Sequence, residues 1–471
     1  MWEGRAIYFI WMEIMKYFIN AITAFRMFKE APMNRNIAQF LQERGISIEP
    51  YAVAVLLCFN IAIALQLLIR VYILLLGCIL SALVLFLLLL GRIGTASPRV
   101  RIRKPYEINV AELLEREVVP LETTEARVVL QGQVILVSGA AGSIGSELCR
   151  QLLNYEPALL IALDTNETGL FDLVEGLRSR AHPCIANIYP FIGDITDVQR
   201  LTRLFAEKRP DIVFHAAAYK HVPLLEQYPD LATRTNVLAT YHLCRLAQEY
   251  EVARFVFIST DKAAEPVSVM GATKRVGEMI VGALAKSTES PTRFCTVRFG
   301  NVIGSRGSVV PVFTRQIEQG GPLTVTDPEA TRYFMTIPEA CELVILTSAI
   351  ADQGGLYLLN MGYPVRILDL ASKMIRLSGL RVGHDIGIVY TGLRPGERLH
   401  ETLVAADEEL NPTANSKILC VTNKNGTPTL ATIVQWIEIL ENSLQRGDVV
   451  QHREHLFEIV REQKLLSVSV N

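Results

Sequence analysis

The pattern of apolar and polar positions divides the chain in two. From Tyr51 to Gly91 it is almost continuously apolar, and among strongly polar residues only Asn60, Gln66 and Arg70 interrupt it. As one helix those forty-one residues would reach roughly 60 Å, about twice the hydrocarbon thickness of a bilayer. The pattern therefore predicts a membrane hairpin over 51–91, with spans at 51–69 and 72–91 turning near Arg70, although no Gly or Pro marks the turn. Residues 1–50 form a separate N-terminal segment. Within it, 6–28 reads equally as an interfacial amphipathic helix or a further span, because Glu13, Lys16 and Arg26 break its apolar run, and 34–49 is polar and helix-compatible. Residues 92–131 read as a basic juxtamembrane linker with one short helix, Val110 to Arg116.

Beyond Gln133 the period changes. Short apolar runs at 134–138, 158–163, 188–192, 211–215, 254–259 and 293–298 predict strands, and the gaps between most of them carry helical patterns. Such alternation predicts an α/β fold, a Rossmann-type doubly wound parallel sheet, whose ligands bind at the carboxyl ends of the strands. The division expected is a cofactor-binding domain over 132–300, then a small substrate-binding subdomain and C-terminal helices over 301–471. The amphipathic start Val365 to Met374 is assigned to packing.

Composition sharpens only part of this picture. Half of the 471 residues are hydrophobic and mean hydropathy is +0.28, which supports a membrane segment. Net charge is −2, from 46 basic and 48 acidic residues, so no overall field argues for nucleic acid as a partner. The local cluster Arg92, Arg99, Arg101, Arg103 and Lys104 just after the apolar run predicts an inner (cytoplasmic) membrane protein whose C-terminal part faces the cytoplasm. The first residues lack the features of a cleaved leader. Eight scattered cysteines with no Cys-x-x-Cys pair predict reduced thiols and no metal site.

The candidate chemistry begins where the first strand meets three glycines. Gly139 allows the tight exit, Gly142 lets backbone approach a pyrophosphate, and Gly145 lets the helix pack closely. Ser143, Ile144 and Gly145 open that helix and offer free N–H groups to phosphates. The glycines alone also fit an ordinary strand-turn-helix. Asp164, at the end of the second strand, stands where a carboxylate would hold the ribose hydroxyls of NAD and disfavour the extra phosphate of NADP. Three further strand ends carry Gly193-Asp194-Ile195, His215-Ala-Ala-Ala218 and Ser259-Thr-Asp-Lys262.

Residues 133 to 420 resemble the extended short-chain dehydrogenase/reductase superfamily. That resemblance implies Asp194 and Ile195 against the adenine, Ala216 and Ala217 lining the cofactor, and a Tyr-x-x-x-Lys pair doing proton work. Here the tyrosine position is Met270, four residues before Lys274. A thioether exchanges no protons, so acid and base must lie elsewhere. Four stretches narrow the match: Ser259 to Pro266, Val269 to Arg275, Arg298 to Ser308, and Leu393 to Glu401. Together they closely resemble the CapD-like polysaccharide biosynthesis proteins, the membrane-associated UDP-N-acetylglucosamine 4,6-dehydratases.

This second resemblance implies a redox-neutral cycle: oxidation at C4 of the sugar, loss of water from C5 and C6, and reduction at C6. It implies Asp261 as acid, Lys262 as base, Thr260 on the C4 hydroxyl and Lys274 on the nicotinamide ribose. Lys220, His221, Asn301, Arg306, Arg332, Arg394 and Glu397 become contacts to sugar, uracil or diphosphate, and a homo-oligomer is implied. Relatives typically carry four membrane helices and an additional nucleotide-binding-like domain ahead of the catalytic one, and this chain is expected to lack that domain. Two rival readings stay open: a nucleotide-sugar 4-epimerase, which would use the same cofactor, and a non-catalytic membrane regulator that binds NAD or a nucleotide sugar.

Overall fold

The computed structural model describes residues 48–94, 124–179, 184–286 and 291–465, with isolated points at 16, 39 and 43–45. The expectations for 6–28, for most of 34–49 and for the helix at Val110 fall outside the described residues. The chain forms two compact units, Met1–Val100 and Arg101–Asn471.

In the first unit, α1 runs unbroken from Ile48 to Gly94, 47 residues that span about 70 Å. The expected turn at Arg70 is not there, so the hairpin of two spans is replaced by one helix. Its physical reason lies in the residues: no proline occurs from Tyr51 to Gly91, the first glycine is Gly77, and the rest are mostly Leu, Ile, Val and Ala, which keep the helix going. Within it, the 27 residues Ile61–Leu87 are apolar and long enough to cross a membrane once, and none of that surface is covered by protein. So long an uncovered apolar surface marks a candidate membrane or partner contact.

The second unit is built on a nine-stranded sheet. Its strands are β1 (Val134–Ser138), β2 (Leu159–Asp164), β3 (Ile188–Ile192), β4 (Ile212–His215), β5 (Arg254–Ile258), β6 (Arg293–Arg298), β7 (Gly355–Leu359), β8 (Glu408–Pro412) and β9 (Ile418–Asn423). The spatial order is β8-β9-β7-β6-β5-β4-β1-β2-β3. From β3 to β7 every pair is parallel, and β9 and β8 add two antiparallel strands at one edge. Strand order reverses between β1 and β4, where Ile135 pairs with Ile212, and that switch opens the crevice in which such sheets bind ligands.

Both faces of the sheet are covered, which is why its strands read as continuous apolar runs. Leu136, Val213, Phe255 and Phe257 point to one layer, and Ile135, Val137, Phe214 and Val256 to the other. The first layer contains α3 (Val269–Ala285), and the second contains α2 (Ser143–Leu153) and α4 (Ile337–Ile350). A third cluster, around Phe313, Ile317, Leu323, Leu370 and Met374, forms the small subdomain, and helix Ile367–Leu377 packs there as expected. The boundary at residue 300 is not a clean one. β7 to β9 return to the main sheet, and α5 (Leu430–Arg446) and α6 (Val449–Leu465) bury Trp436, Leu440, Leu456 and Ile459 in the core of the first layer.

Candidate active site

The glycine turn after β1 is shaped by backbone contact. Gly139 has φ +72°, and a Cβ there would lie 2.7 Å from the Cα of Ala217, so Ala217 at the β4 end packs onto the turn. At Gly145 a Cβ would lie 2.0 Å from Gly139 O, which forces glycine where α2 meets the turn. At Gly142 it would meet only Gly139 O, at 3.1 Å, so this face of the turn is open to a ligand. Asp164 accepts from Ala141 N–H and Asn166 N–H, each at 2.9 Å, and thereby fixes the turn. Asp194 is exposed and accepts from the N–H and hydroxyl of Thr196, both at 2.8 Å, while Ile195 beside it is buried. Ser143 and Ile144 are half-buried at the start of α2.

Beyond β5 the chain turns at Thr260, whose Oγ1 donates to Asp261 Oδ1 at 2.8 Å. Asp261 is 1% exposed, and its Oδ2 has no hydrogen-bond partner. A buried carboxylate oxygen left unpaired costs free energy, so it marks a place where a ligand group belongs. Lys262 Nζ donates at 3.0 Å to Asp261 Oδ1 and at 3.1 Å to Asn301 Oδ1, and forms an ion pair with Glu401 Oε1 at 3.2 Å. Arg332 Nε reaches the same Glu401 oxygen at 3.4 Å. Burial by itself would lower the Lys262 pKa, but the charges of Asp261 and Glu401 outweigh it and raise the value above the ordinary lysine range. Held between these two carboxylates, Lys262 rests as an ammonium. That direction leads away from the neutrality at which a lysine most directly serves as the base that the resemblance implies.

Lys274 has the opposite environment. It sits one helical turn beyond the buried Met270 on α3, donates to Ile258 O at 2.7 Å and lies 4.5 Å from the Phe257 ring centre. Burial pulls its pKa down to about 7, against the charge of Glu278.

Of the other expected contacts, Asn301 and Arg332 join Asp261 and Lys262. Arg306 goes elsewhere: its backbone N–H donates to Ser143 Oγ at 3.0 Å and its guanidinium to Ala141 O at 3.1 Å, which places it on the glycine turn. The His221 ring lies against Gly307 of the same loop, and Lys220 is exposed. Arg394 is exposed and pairs through its backbone N–H with Glu397 Oε2 at 3.2 Å.

Sequence reasoning passed over two features. Glu401 closes the Leu393 to Glu401 stretch and would have been found by asking where its one buried carboxylate could go. The other is a buried ion cluster: Arg298 donates to Glu278 at 2.7 Å and to Glu408 at 2.8 Å, and Arg275 donates to Glu408 at 2.8 Å. Ser259 Oγ joins it through Glu278 at 2.6 Å. The cluster ties together the ends of β5 and β6, the helix carrying Lys274, and the start of β8.

A parallel sheet with this strand order, a glycine turn after β1 and a Thr-Asp-Lys turn after β5 define an extended short-chain dehydrogenase/reductase. Residues 135–423 match the family described as polysaccharide biosynthesis protein, and the chain belongs to that family. It is 47% identical over 302 residues to the capsular polysaccharide biosynthesis protein CapD of Staphylococcus aureus, covering 64% of this chain and 50% of that one. The chain thus spans about half the length of that relative. A UDP-N-acetylglucosamine 4,6-dehydratase (inverting) of Campylobacter jejuni is 33% identical over 277 residues, 58% of this chain and 78% of its own. A UDP-glucose 4-epimerase of Rickettsia bellii is also 33% identical, over 279 residues, 59% and 79% of the two chains. Among solved structures, DesIV of Streptomyces venezuelae, a dTDP-glucose 4,6-dehydratase with NAD and TYD bound, aligns at TM-score 0.50 and 25% identity, over 57% of this chain and 88% of that one.

Proposed function

We propose that this chain is a membrane-anchored, NAD-dependent nucleotide-sugar 4,6-dehydratase acting on UDP-N-acetylglucosamine, with UDP-4-keto-6-deoxy-N-acetylhexosamine as product, in the making of a surface polysaccharide or glycan. The observation that carries the reading is the Asp261–Lys262 hydrogen bond at the carboxyl end of β5, beside a methionine where the superfamily's tyrosine would stand.

The glycine turn fits a dinucleotide: Gly142 presents an open face, α2 points its free N–H groups there, and Asp164 at the β2 end suits ribose hydroxyls. A nicotinamide cofactor held there supplies a hydride acceptor at C4 and a hydride donor at C6. The remaining chemistry belongs to the chain. Thr260 orients the C4 hydroxyl, and Lys274, close to neutral, holds the nicotinamide ribose. Elimination needs a base for C5–H and an acid for the departing hydroxyl. Moving one proton along the 3.0 Å hydrogen bond from Lys262 Nζ to the Asp261 carboxylate creates both at once, a free amine and a carboxylic acid. The amine then takes the C5 proton, and Asp261 gives its proton to the hydroxyl, which leaves as water. The Lys262 ammonium that remains can return its proton to C5 as the hydride enters C6, and a proton equal to the one lost from the C4 hydroxyl on oxidation restores the resting ion pair. Excluding water from the narrow cleft around Asp261, Lys262 and Glu401 favours the neutral pair over the charged one.

Incubating the full chain in detergent or lipid with UDP-N-acetylglucosamine and NAD, and weighing the sugar nucleotide by mass spectrometry, tests this directly. Loss of one water is expected, and Lys262→Ala should reduce it by about 10²-fold or more. An unchanged mass with an epimer formed would favour the second reading, a 4-epimerase, to which the Rickettsia bellii relative points. An unchanged mass with no epimer and cofactor bound would leave a non-catalytic binding protein. The basic cluster from Arg92 to Lys104 supports a catalytic unit on the cytoplasmic side of the inner membrane.

A further inference from the structure

Lys262 Nζ donates to Asp261 and Asn301 and is ion-paired with Glu401. Asp261 follows β5 and Asn301 opens the short strand Asn301–Ile303 after β6, but Glu401 arrives from the irregular chain that follows the small subdomain. Its side chain is 5% exposed, so a charged carboxylate has been brought into the site and held there. Arg332 holds it. The Arg332 guanidinium donates to the backbone oxygens of Thr331, Leu399 and Arg398 and turns its Nε toward Glu401 at 3.4 Å.

We infer that Glu401 tunes Lys262 as the base: its carboxylate stabilises the ammonium that forms as the C5 proton is taken, making it a positioning residue that acts through Lys262. The inference rests on the dehydratase reading. A carbon-bound proton next to a ketone is weakly acidic, and a base takes it faster the more strongly it holds the proton. A fixed negative charge 3.2 Å from Nζ strengthens the amine in that sense. The same charge keeps Lys262 protonated at rest, and Asp261, 3.0 Å away, is the group that relieves it of the extra proton.

The charged groups facing Lys262 are Asp261, Glu401 and Arg332. Glu265 and Arg398 line the same cleft but are paired with each other at 3.3 Å, which leaves little net charge from them. Glu401 is therefore the carboxylate whose removal changes the field at Nζ without removing the acid.

The test uses the full chain in lipid nanodiscs, with Glu401→Gln and Glu401→Asp beside the unmodified protein. Competitive acetylation of lysines by acetic anhydride over a range of pH, followed by peptide mass spectrometry, reads the unprotonated fraction of Lys262. Glu401→Gln is expected to move the midpoint of Lys262 labelling down by about 1–3 pH units. Glu401→Asp should restore most of it. In the water-loss assay the rising limb of the pH–rate profile should move the same way, with a plateau at least about 10-fold lower. A Gln variant that is slow but labels Lys262 with an unmoved midpoint would reduce Glu401 to a structural role and overturn the inference. If the unmodified protein releases no water from the sugar, the dehydratase reading fails by itself, while the labelling still decides whether Glu401 governs Lys262.

Discussion

Two lysines twelve positions apart are driven in opposite directions by what surrounds them. Lys262, between two carboxylates, is held charged, whereas Lys274, against the Phe257 ring with a backbone carbonyl as its partner, is brought to about 7. The second value has a consequence for stability. An unfolded lysine titrates near 10.4, so between about 7 and that value the unfolded chain binds more protons than the folded one. Stability contributed through Lys274 is therefore lowest below about pH 7 and rises as pH increases through that window. Lys274→Met should remove the slope: thermal unfolding is expected to show the variant more stable than the unmodified protein near pH 6, with the advantage clearly reduced near pH 9. The sequence names Thr260, Asp261 and Lys262 together, because their spacing after a strand is a local feature. The ionisation states are not local. They depend on Glu401, Arg332 and Phe257, which only folding brings near.

At the level of elements, five of the six strands legible in the sequence are buried within the sheet and β3 lies at its edge, and β1 to β6 begin and end within a residue of the apolar runs that announce them. Among the strands it does not announce, β8 reads Glu-Glu-Leu-Asn-Pro and lies at an edge, where its polar residues meet solvent. Their placement matters because β8 carries Glu408 into the buried ion cluster. Replacing Arg298 by Met would leave Glu278 and Glu408 buried with less positive charge to meet them. A loss of about 3–5 kcal/mol is expected, read by chemical denaturation. The glycine turn makes a second prediction at this scale. Gly145→Ala places a Cβ 2.0 Å from Gly139 O and must displace α2 from the turn, so NAD binding measured by calorimetry should fall by about 10-fold or more. Loss of binding without loss of fold, checked by circular dichroism, is the outcome that ties the turn to the cofactor.

For the whole molecule, one unbroken helix in place of a hairpin changes which side of a membrane the two ends of α1 occupy. Two spans would return the chain to the side it came from, whereas a single crossing by Ile61–Leu87 would separate Gly45 from the basic residues beyond Gly94. The sequence suggested a turn because forty-one apolar residues exceed one bilayer, yet nothing between Tyr51 and Leu76 breaks a helix, and tilt or protrusion into the headgroup region accommodates the excess length. On the orientation proposed above, the C-terminal unit is expected in the cytoplasm and Gly45 on the opposite face. Cysteines introduced singly at Gly45 and at Ser97, in a chain whose natural cysteines are replaced by Ser or Ala, test this in intact cells. A membrane-impermeant maleimide should label position 45 from outside and reach position 97 only after the inner membrane is opened. Labelling of neither position before the membrane is opened would restore the hairpin. Leu74→Arg, at the centre of Ile61–Leu87, should weaken insertion by about 2.5–3.5 kcal/mol and shift protein from the membrane to the soluble or aggregated fraction. A variant that stayed fully membrane-bound would place the anchor elsewhere in the chain.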